Sequence, residues 1–229
     1  MRCLSPVSIK DPRSSDSRVR LTVPCNKCVA CLSNRRNSWS FRLFQELKHS
    51  TSAHFVTLTY DDDHLPENGT LVKKHVQDWM KRLRKYIHPY KVRYSLVGEY
   101  GGRYHRPHYH CLLFNHPDEI DLRDSLEKSW TFGFCDIGTC TPASIHYVTK
   151  YTLASKLIED EDLRLSSPVF NFDHPLDDSL LYPTFMVCSK KPGIGSGYLS
   201  DRLVKWHKKD VKTYVQLYSQ KLLMPRILS

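Results

Sequence analysis

An α+β fold, one mainly antiparallel sheet with helices packed on it, is predicted by three observations. Strand-type and helix-type hydrophobic patterns are intermixed, in the order strand, helix, two strands, helix, strand, helix, strand. The two consecutive strand patterns, "KVRYSLVGEY" and "PHYHCLLF", flank the turn-forming "GGRYHR" and read as a hairpin with a longer loop. The length of 229 residues suits one ordinary core with an appended element.

Taken in order, residues 11–20 are polar and charged and read as a loop or short irregular arm. "CLSNRRNSWSFRLFQELKH" reads as a helix. Leu32, Trp39, Leu43 and Leu47 recur at helical spacing, with Arg35, Arg36, Arg42 and Lys48 on other faces. "AHFVTLTY" is rich in β-branched and aromatic residues and reads as a strand, followed by the loop "DDDHLPENGT". A second amphipathic helix starts near Leu71. Val72, Val76, Trp79, Leu83 and Tyr86 form its apolar stripe, and Lys73, Lys74, Lys81, Arg82, Arg84 and Lys85 make the rest basic, as a solvated face would be.

After the hairpin, residues around 118–130 read as helical and "FGFCDIG" as a short strand. "TPASIHYVTKYTLASKL" is a helix with Thr141 at the N-cap and Pro142 at the first helical position. Residues 159–183 read as an acidic loop containing proline, "TFMVCS" as a strand and "KKPGIGSG" as a basic glycine-rich loop, with a mixed tail to Ser229. The expected organisation is a Cys-rich element and basic helix over 1–50, a core over 51–190, and a basic extension packed on it over 191–229.

The formal net charge is +10, and Tyr, Phe and Trp are plentiful among the cations. Basic groups with interleaved aromatics suit a phosphate-rich partner whose bases can stack. No run approaches the roughly 20 apolar residues that span a bilayer, and the N-terminus lacks an apolar signal core. These features predict a cytoplasmic chain whose eight cysteines are thiols or metal ligands rather than disulfides.

His108 and His110 lie two apart on a strand, so their side chains share a face, roughly 7 Å apart. Two neutral imidazoles so placed can converge on one cation if a third ligand joins them. Glu99, just before the turn on the partner strand, offers that ligand. Leu112 and Phe114 continue the same face, which predicts a helix covering its deeper end. An H-x-H alone equally suits ordinary polar surface residues.

Tyr147 and Tyr151, one helical turn apart in "YVTKY", share a face about 5–6 Å apart, with Lys150 beside both. Together with Ala154 and Ile158 they could equally be a core stripe. In combination with a metal the pattern acquires chemistry. Tyrosine can be a covalent nucleophile, a metal stabilises charge on a phosphoryl oxygen, and a nearby lysine favours phenolate. The combination makes a phosphodiester transesterase.

"CNKCVAC" spaces Cys25, Cys28 and Cys31 as metal ligands, and Cys3 could complete a tetrahedral zinc site. Free thiols or an iron–sulfur cluster are the alternatives, the latter without its usual fourth Cys before Pro. Cys111, Cys135, Cys140 and Cys188 lie in or beside strands and read as packing residues.

"FVTLTYDDDHLP", "GEYGG…RPHYHCLLF" and "YVTKYTLASK", in this order and spacing, resemble the three motifs of rolling-circle replication initiators of the HUH endonuclease superfamily. More narrowly, the chain resembles the initiators of gokushovirus-type Microviridae, through "VPCNKCVACLSNRRNSW", "SKKPGIGSGYL" and "LLMPRIL" as well. The resemblance implies a single domain with a five-stranded antiparallel sheet of RRM-like type and His108 and His110 on a central strand. It implies Mg²⁺ or Mn²⁺ held by these two with Glu99, and site-specific nicking of single-stranded or origin DNA by Tyr147 or Tyr151, aided by Lys150. Host helicase and polymerase would be partners, in the cytoplasm of the bacterial host. Arg82, Lys85, Arg106, Lys190 and Lys191 are candidate DNA contacts. Two other classes stay open: a non-enzymatic nucleic-acid-binding protein with a structural zinc site, and a metal phosphoesterase acting on small nucleotides or RNA.

Overall fold

The computed structural model describes residues 2–151 and 181–198, together with two short strands, Tyr214–Leu217 and Gln220–Leu223. The first hairpin pairs β1 (Val7–Lys10) with β2 (Arg20–Val23). α1 (Val29–His49) follows, then β3 (Ala53–Thr59), α2 (Lys73–Tyr86), β4 (Arg93–Tyr100) and β5 (Pro107–Phe114). α3 (Leu122–Ser129), β6 (Cys135–Thr139), α4 (Pro142–Lys150) and β7 (Phe185–Cys188) complete the central layer, and β8 (Tyr214–Leu217) pairs with β9 (Gln220–Leu223). The fold is α+β. Five strands form one antiparallel sheet in the order β6-β3-β5-β4-β7.

β5 is central and covered on both sides, which is why it reads as a nearly continuous apolar run. On one face Tyr109, Cys111 and Leu113 pack with Val56 and Leu58 of β3 against Val76, Trp79, Met80 and Leu83 of α2 and Leu126 of α3. On the other, Leu112 and Phe114 meet Val97, Leu43 of α1, and Ile145 and Val148 of α4. Each such fully buried side chain contributes about 1.5–3 kcal/mol. The expected helical cover over Leu112 and Phe114 is therefore present.

α4 begins as its sequence predicts. Pro142 opens the first turn, and Thr141 and Ser144 form a reciprocal capping box, each side chain accepting from the other's backbone N–H. Its described part ends at Lys150 with Tyr151 as C-cap. The rest of the helix expected to 157, with Ala154 and Ile158, lies outside the described residues, as do most of the acidic segment 159–183 and most of the tail.

Three local expectations are corrected. The arm read as irregular carries a hairpin, because residues 11–20 merely connect β1 to β2. Its strands are largely exposed and so carry no burial alternation to read. α2 starts two residues later than Leu71, because the phenols of Tyr100 and Tyr109 accept the N–H groups of Leu71 and Val72. Tyr86 leaves the apolar stripe, exposed and donating to Asp124, while Met80 is buried instead. Among the described residues no helix is long and apolar enough to cross a membrane.

Candidate active site

The hairpin register places Glu99 directly opposite His108, with His110 two residues deeper opposite Val97. The period of two then aims both imidazoles and the carboxylate into the α1/α4 side of the sheet. Glu99 is 2% exposed, and its Oε1 is a common acceptor. His108 Nε2 lies 3.0 Å away, His110 Nε2 2.9 Å, and the Tyr147 hydroxyl donates to the same oxygen. Tyr151 donates to the Tyr147 oxygen at 3.3 Å.

Outer contacts aim the rings. His108 Nδ1 lies 3.2 Å from the Arg106 carbonyl, which can only accept. His110 Nδ1 meets the Thr57 hydroxyl at 3.0 Å, and its ring stacks on Phe55 with centroids 5.1 Å apart. Sequence reasoning does not single out Thr57 and Phe55. Their alternation on β3 is visible in the sequence, but the register Thr57↔His110 that makes it matter is not.

The electrostatics follow from burial. Desolvation alone raises the Glu99 carboxyl, but hydrogen bonds from His108, His110 and Tyr147 outweigh it and hold it down at about 2. Burial lowers His108, and the Glu99 hydrogen bond and charge more than reverse this, so its net shift is upward. Burial, and then the Glu99 contact, push the Tyr147 phenol up to about 12 and Tyr151 further still. With Nδ1–H given to Arg106, His108 can bond Glu99 through Nε2 only as imidazolium. The site already holds a positive charge between its nitrogens and its carboxylate.

A divalent cation fits where that proton sits. One ligand atom from each of Glu99, His108 and His110 lies within 4.8 Å of the others. Glu99 Oε2 is buried with no hydrogen bond of normal geometry, although Tyr151 leans on the carboxylate. Two imidazoles and a carboxylate are a donor set for a divalent metal with open positions. Lys150 is exposed, its Nζ 5.4 Å from the centroid of the Tyr147 ring. Arg106 stands at the mouth, bound to Asp62 and the Tyr60 carbonyl, beside a cavity of about 330 Å³ that includes Gly101, Tyr104 and His108.

The remaining candidates lie elsewhere. Arg82 and Lys85 are on α2, across the sheet from Glu99. Arg82 Nε donates to the Ser129 carbonyl at 2.7 Å, and its guanidinium lies over Phe132. Lys190 and Lys191 are exposed at the opposite end of the strands, next to the Arg93 end of β4.

The four N-terminal thiols converge. Cys3 lies 3.5 Å from Cys25 and 3.8 Å from Cys28, and Cys25 lies 4.0 Å from Cys31. Four thiolates about 2.3 Å from a tetrahedral centre stand about 3.8 Å apart. The Leu4 N–H, followed by further hydrogen bonds, brings the Cys28 thiol down to about 6, while burial pushes Cys31 up to about 12. Cys28 is also the N-cap of α1, so the cluster ties the first hairpin to that helix.

An antiparallel sheet with two imidazoles, a buried carboxylate and two phenols on one covered face defines a protein built to hold a metal beside nucleophilic hydroxyls. Sequence comparison narrows that class. Residues 53–156, which include all five of these side chains, match the family model of the replication-associated protein ORF2. The chain is 32% identical to replication-associated protein ORF2 of Spiroplasma virus 4 over 177 residues, covering 65% of this chain and 55% of that one. It is 30% identical to replication-associated protein ORF4 of Chlamydia phage 1, covering 56% and 37%, and 27% identical to replication-associated protein VP4 of Bdellovibrio phage phiMH2K, covering 71% and 60%. These matches bear out the resemblance read from the motifs and support a phage replication initiator. The chain spans between 37% and 60% of the length of these relatives. No solved structure matches.

Proposed function

We propose that this protein initiates rolling-circle replication by nicking and rejoining single-stranded origin DNA as an HUH-type, two-tyrosine strand transferase. The observation that carries the reading is the convergence of His108, His110 and Tyr147 on one oxygen of buried Glu99. It puts a nucleophilic hydroxyl within bonding distance of a metal-type ligand set. Mg²⁺ or Mn²⁺, when bound by Glu99, His108 and His110, would stabilise charge on the scissile phosphate.

The chain's own residues do the rest. Tyr147 is protonated at neutral pH because burial and Glu99 raise it, so its proton must leave as its oxygen bonds to phosphorus. Glu99 Oε1, which already accepts that hydrogen bond, is positioned to receive the proton. The P–O3′ bond breaks, and the departing 3′ oxygen takes up a proton. The 5′ phosphate stays on tyrosine, and the free 3′-OH primes a host polymerase. After one round Tyr151, 3.3 Å from the first oxygen, attacks the regenerated site. The new 3′-OH then displaces Tyr147 and closes the circle. Each step exchanges one phosphodiester for another, so no nucleotide is consumed. Lys150 over the Tyr147 ring favours negative charge there. In this reading zinc occupies Cys3, Cys25, Cys28 and Cys31 and braces the N-terminal element, the host supplies the helicase, and the work is done in the cytoplasm of the infected cell.

The test is intact-mass measurement after incubation with single-stranded origin-region DNA and Mn²⁺. Tyr147→Phe and Tyr151→Phe should each still form an adduct at the surviving tyrosine, and the double variant none. Cleavage with no adduct would instead make the protein a metal phosphoesterase. Binding with neither would leave a nucleic-acid-binding module.

A further inference from the structure

The cations predicted to meet DNA do not gather at the tyrosines. Lys190 and Lys191 join Arg84 and Lys91 around a cleft of about 1110 Å³ at the far end of the sheet. That volume exceeds the roughly 300–1,000 Å³ of small-ligand pockets. We infer that this cleft is a second DNA-binding subsite, taking the phosphate backbone of single-stranded DNA at a distance from the cutting centre. The nature of the polymer rests on the nicking function proposed above. The existence of the subsite rests on the following geometry.

The cleft is held in shape by its own ion pair. Glu46 is buried and bound bidentately by Arg93, and it also accepts the Gly195 N–H at 2.7 Å. Arg93 donates onward to the carbonyls of Pro192 and Gly193, and Arg42 to that of Ile194. Gly195, at φ +78°, passes so close to the Arg42 backbone that a Cβ would stand 2.6 Å from its carbonyl oxygen. The loop bearing Lys190 and Lys191 is thus clamped to α1 and β4 at several points. Among the described residues Glu46 is the one carboxylate in the lining, and Arg93 consumes it. Arg84, Lys91, Lys190 and Lys191 have no ion pair recorded among the described residues, and all four are exposed. Tyr90, 42% exposed, presents a ring among them. Unneutralised cations around a concave surface with an accessible aromatic ring are the elements of single-strand binding, phosphates on the charges and a base on the ring.

The separation is legible in the register. Arg93 lies opposite Phe114 at the cleft end, and Glu99 opposite His108 at the other. Six residues of strand make roughly 20 Å, or about six nucleotides at the 3.4 Å spacing of stacked DNA.

The test is a salt titration of binding by fluorescence anisotropy, using an oligothymidylate of about 25 nucleotides and the full chain. Lys91→Ala/Lys190→Ala/Lys191→Ala should reduce the slope of log affinity against log salt by about 2, at about 0.7 per phosphate contact. The corresponding triple Arg variant should keep the wild-type slope. Lys74→Ala/Lys81→Ala, which removes two cations paired with Asp78 on α2, should also keep it. An unchanged slope in the triple Ala variant overturns the inference. An equal loss on a blunt duplex of the same length overturns the assignment to single strands. Tyrosine-adduct formation by wild type, measured separately, keeps the two readings apart. Adduct with an unchanged slope sinks only the subsite, and a lost slope without adduct sinks only the nicking.

Discussion

Replacing Glu99 by Gln keeps the shape of the site and removes its charge. The wild-type carboxyl falls from an ordinary 4.5 to about 2 despite burial, because His108, His110 and Tyr147 donate to it. At about 1.4 kcal/mol for each pKa unit, the ionised form is worth about 3 kcal/mol to the fold. A depressed carboxyl stabilises fully above its unfolded value and loses that contribution as pH falls toward about 2, so about 2 kcal/mol should be gone at pH 3. His108 works in the opposite direction. Its value is raised above 6.5, so its share is present below 6.5 and lost as pH rises through the higher folded value. The stability gap between wild type and Glu99→Gln should therefore be widest between about pH 5 and 6.5 and shrink on either side. Urea unfolding followed by circular dichroism, in excess chelator across pH 3 to 8, measures it. A gap constant across that range would refute the argument that the imidazoles and the carboxylate share a charge.

The double variant His108→Ala/His110→Ala should lose Mn²⁺ binding and cleavage and also fall in stability by about 3–5 kcal/mol, because it strands a buried carboxylate. Adding Glu99→Gln should restore much of that loss in the same denaturation assay, and no restoration would count against the pairing. Wild-type protein should carry about one zinc per chain by elemental analysis, and Cys28→Ser should lose it, with hydrogen exchange rising only in the first hairpin and the start of α1. Iron, or no metal in the wild type, would exclude that assignment. Arg82→Ala should cost about 1–3 kcal/mol, since it removes a donor from the Ser129 carbonyl, while leaving the salt dependence of DNA binding unchanged. A flattened slope would return Arg82 to the DNA path.

Local order was legible because its causes are local. A period of two put His108 and His110 on one face before any partner was known. Thr141 and Pro142 marked the start of α4 through capping and a fixed φ. The glycine turn after Glu99 set β4 and β5 antiparallel, which brought Glu99 within reach of His108. Other features depended on residues distant in sequence. The register Thr57↔His110 and the descent of Tyr147 onto Glu99 required β3 and α4 to dock first. Arg82 looked like any other cation of a basic helix until α3 brought the Ser129 carbonyl to it. Lys190 and Lys191 gave no sign of lying a strand's length from the histidines, because their position is set by Arg93 and Glu46, far away in the chain. Composition and spacing determined which side chains could do chemistry and which could share a face. Burial and cross-strand register, which arise only when distant segments pack, decided which of them meet and with what charge.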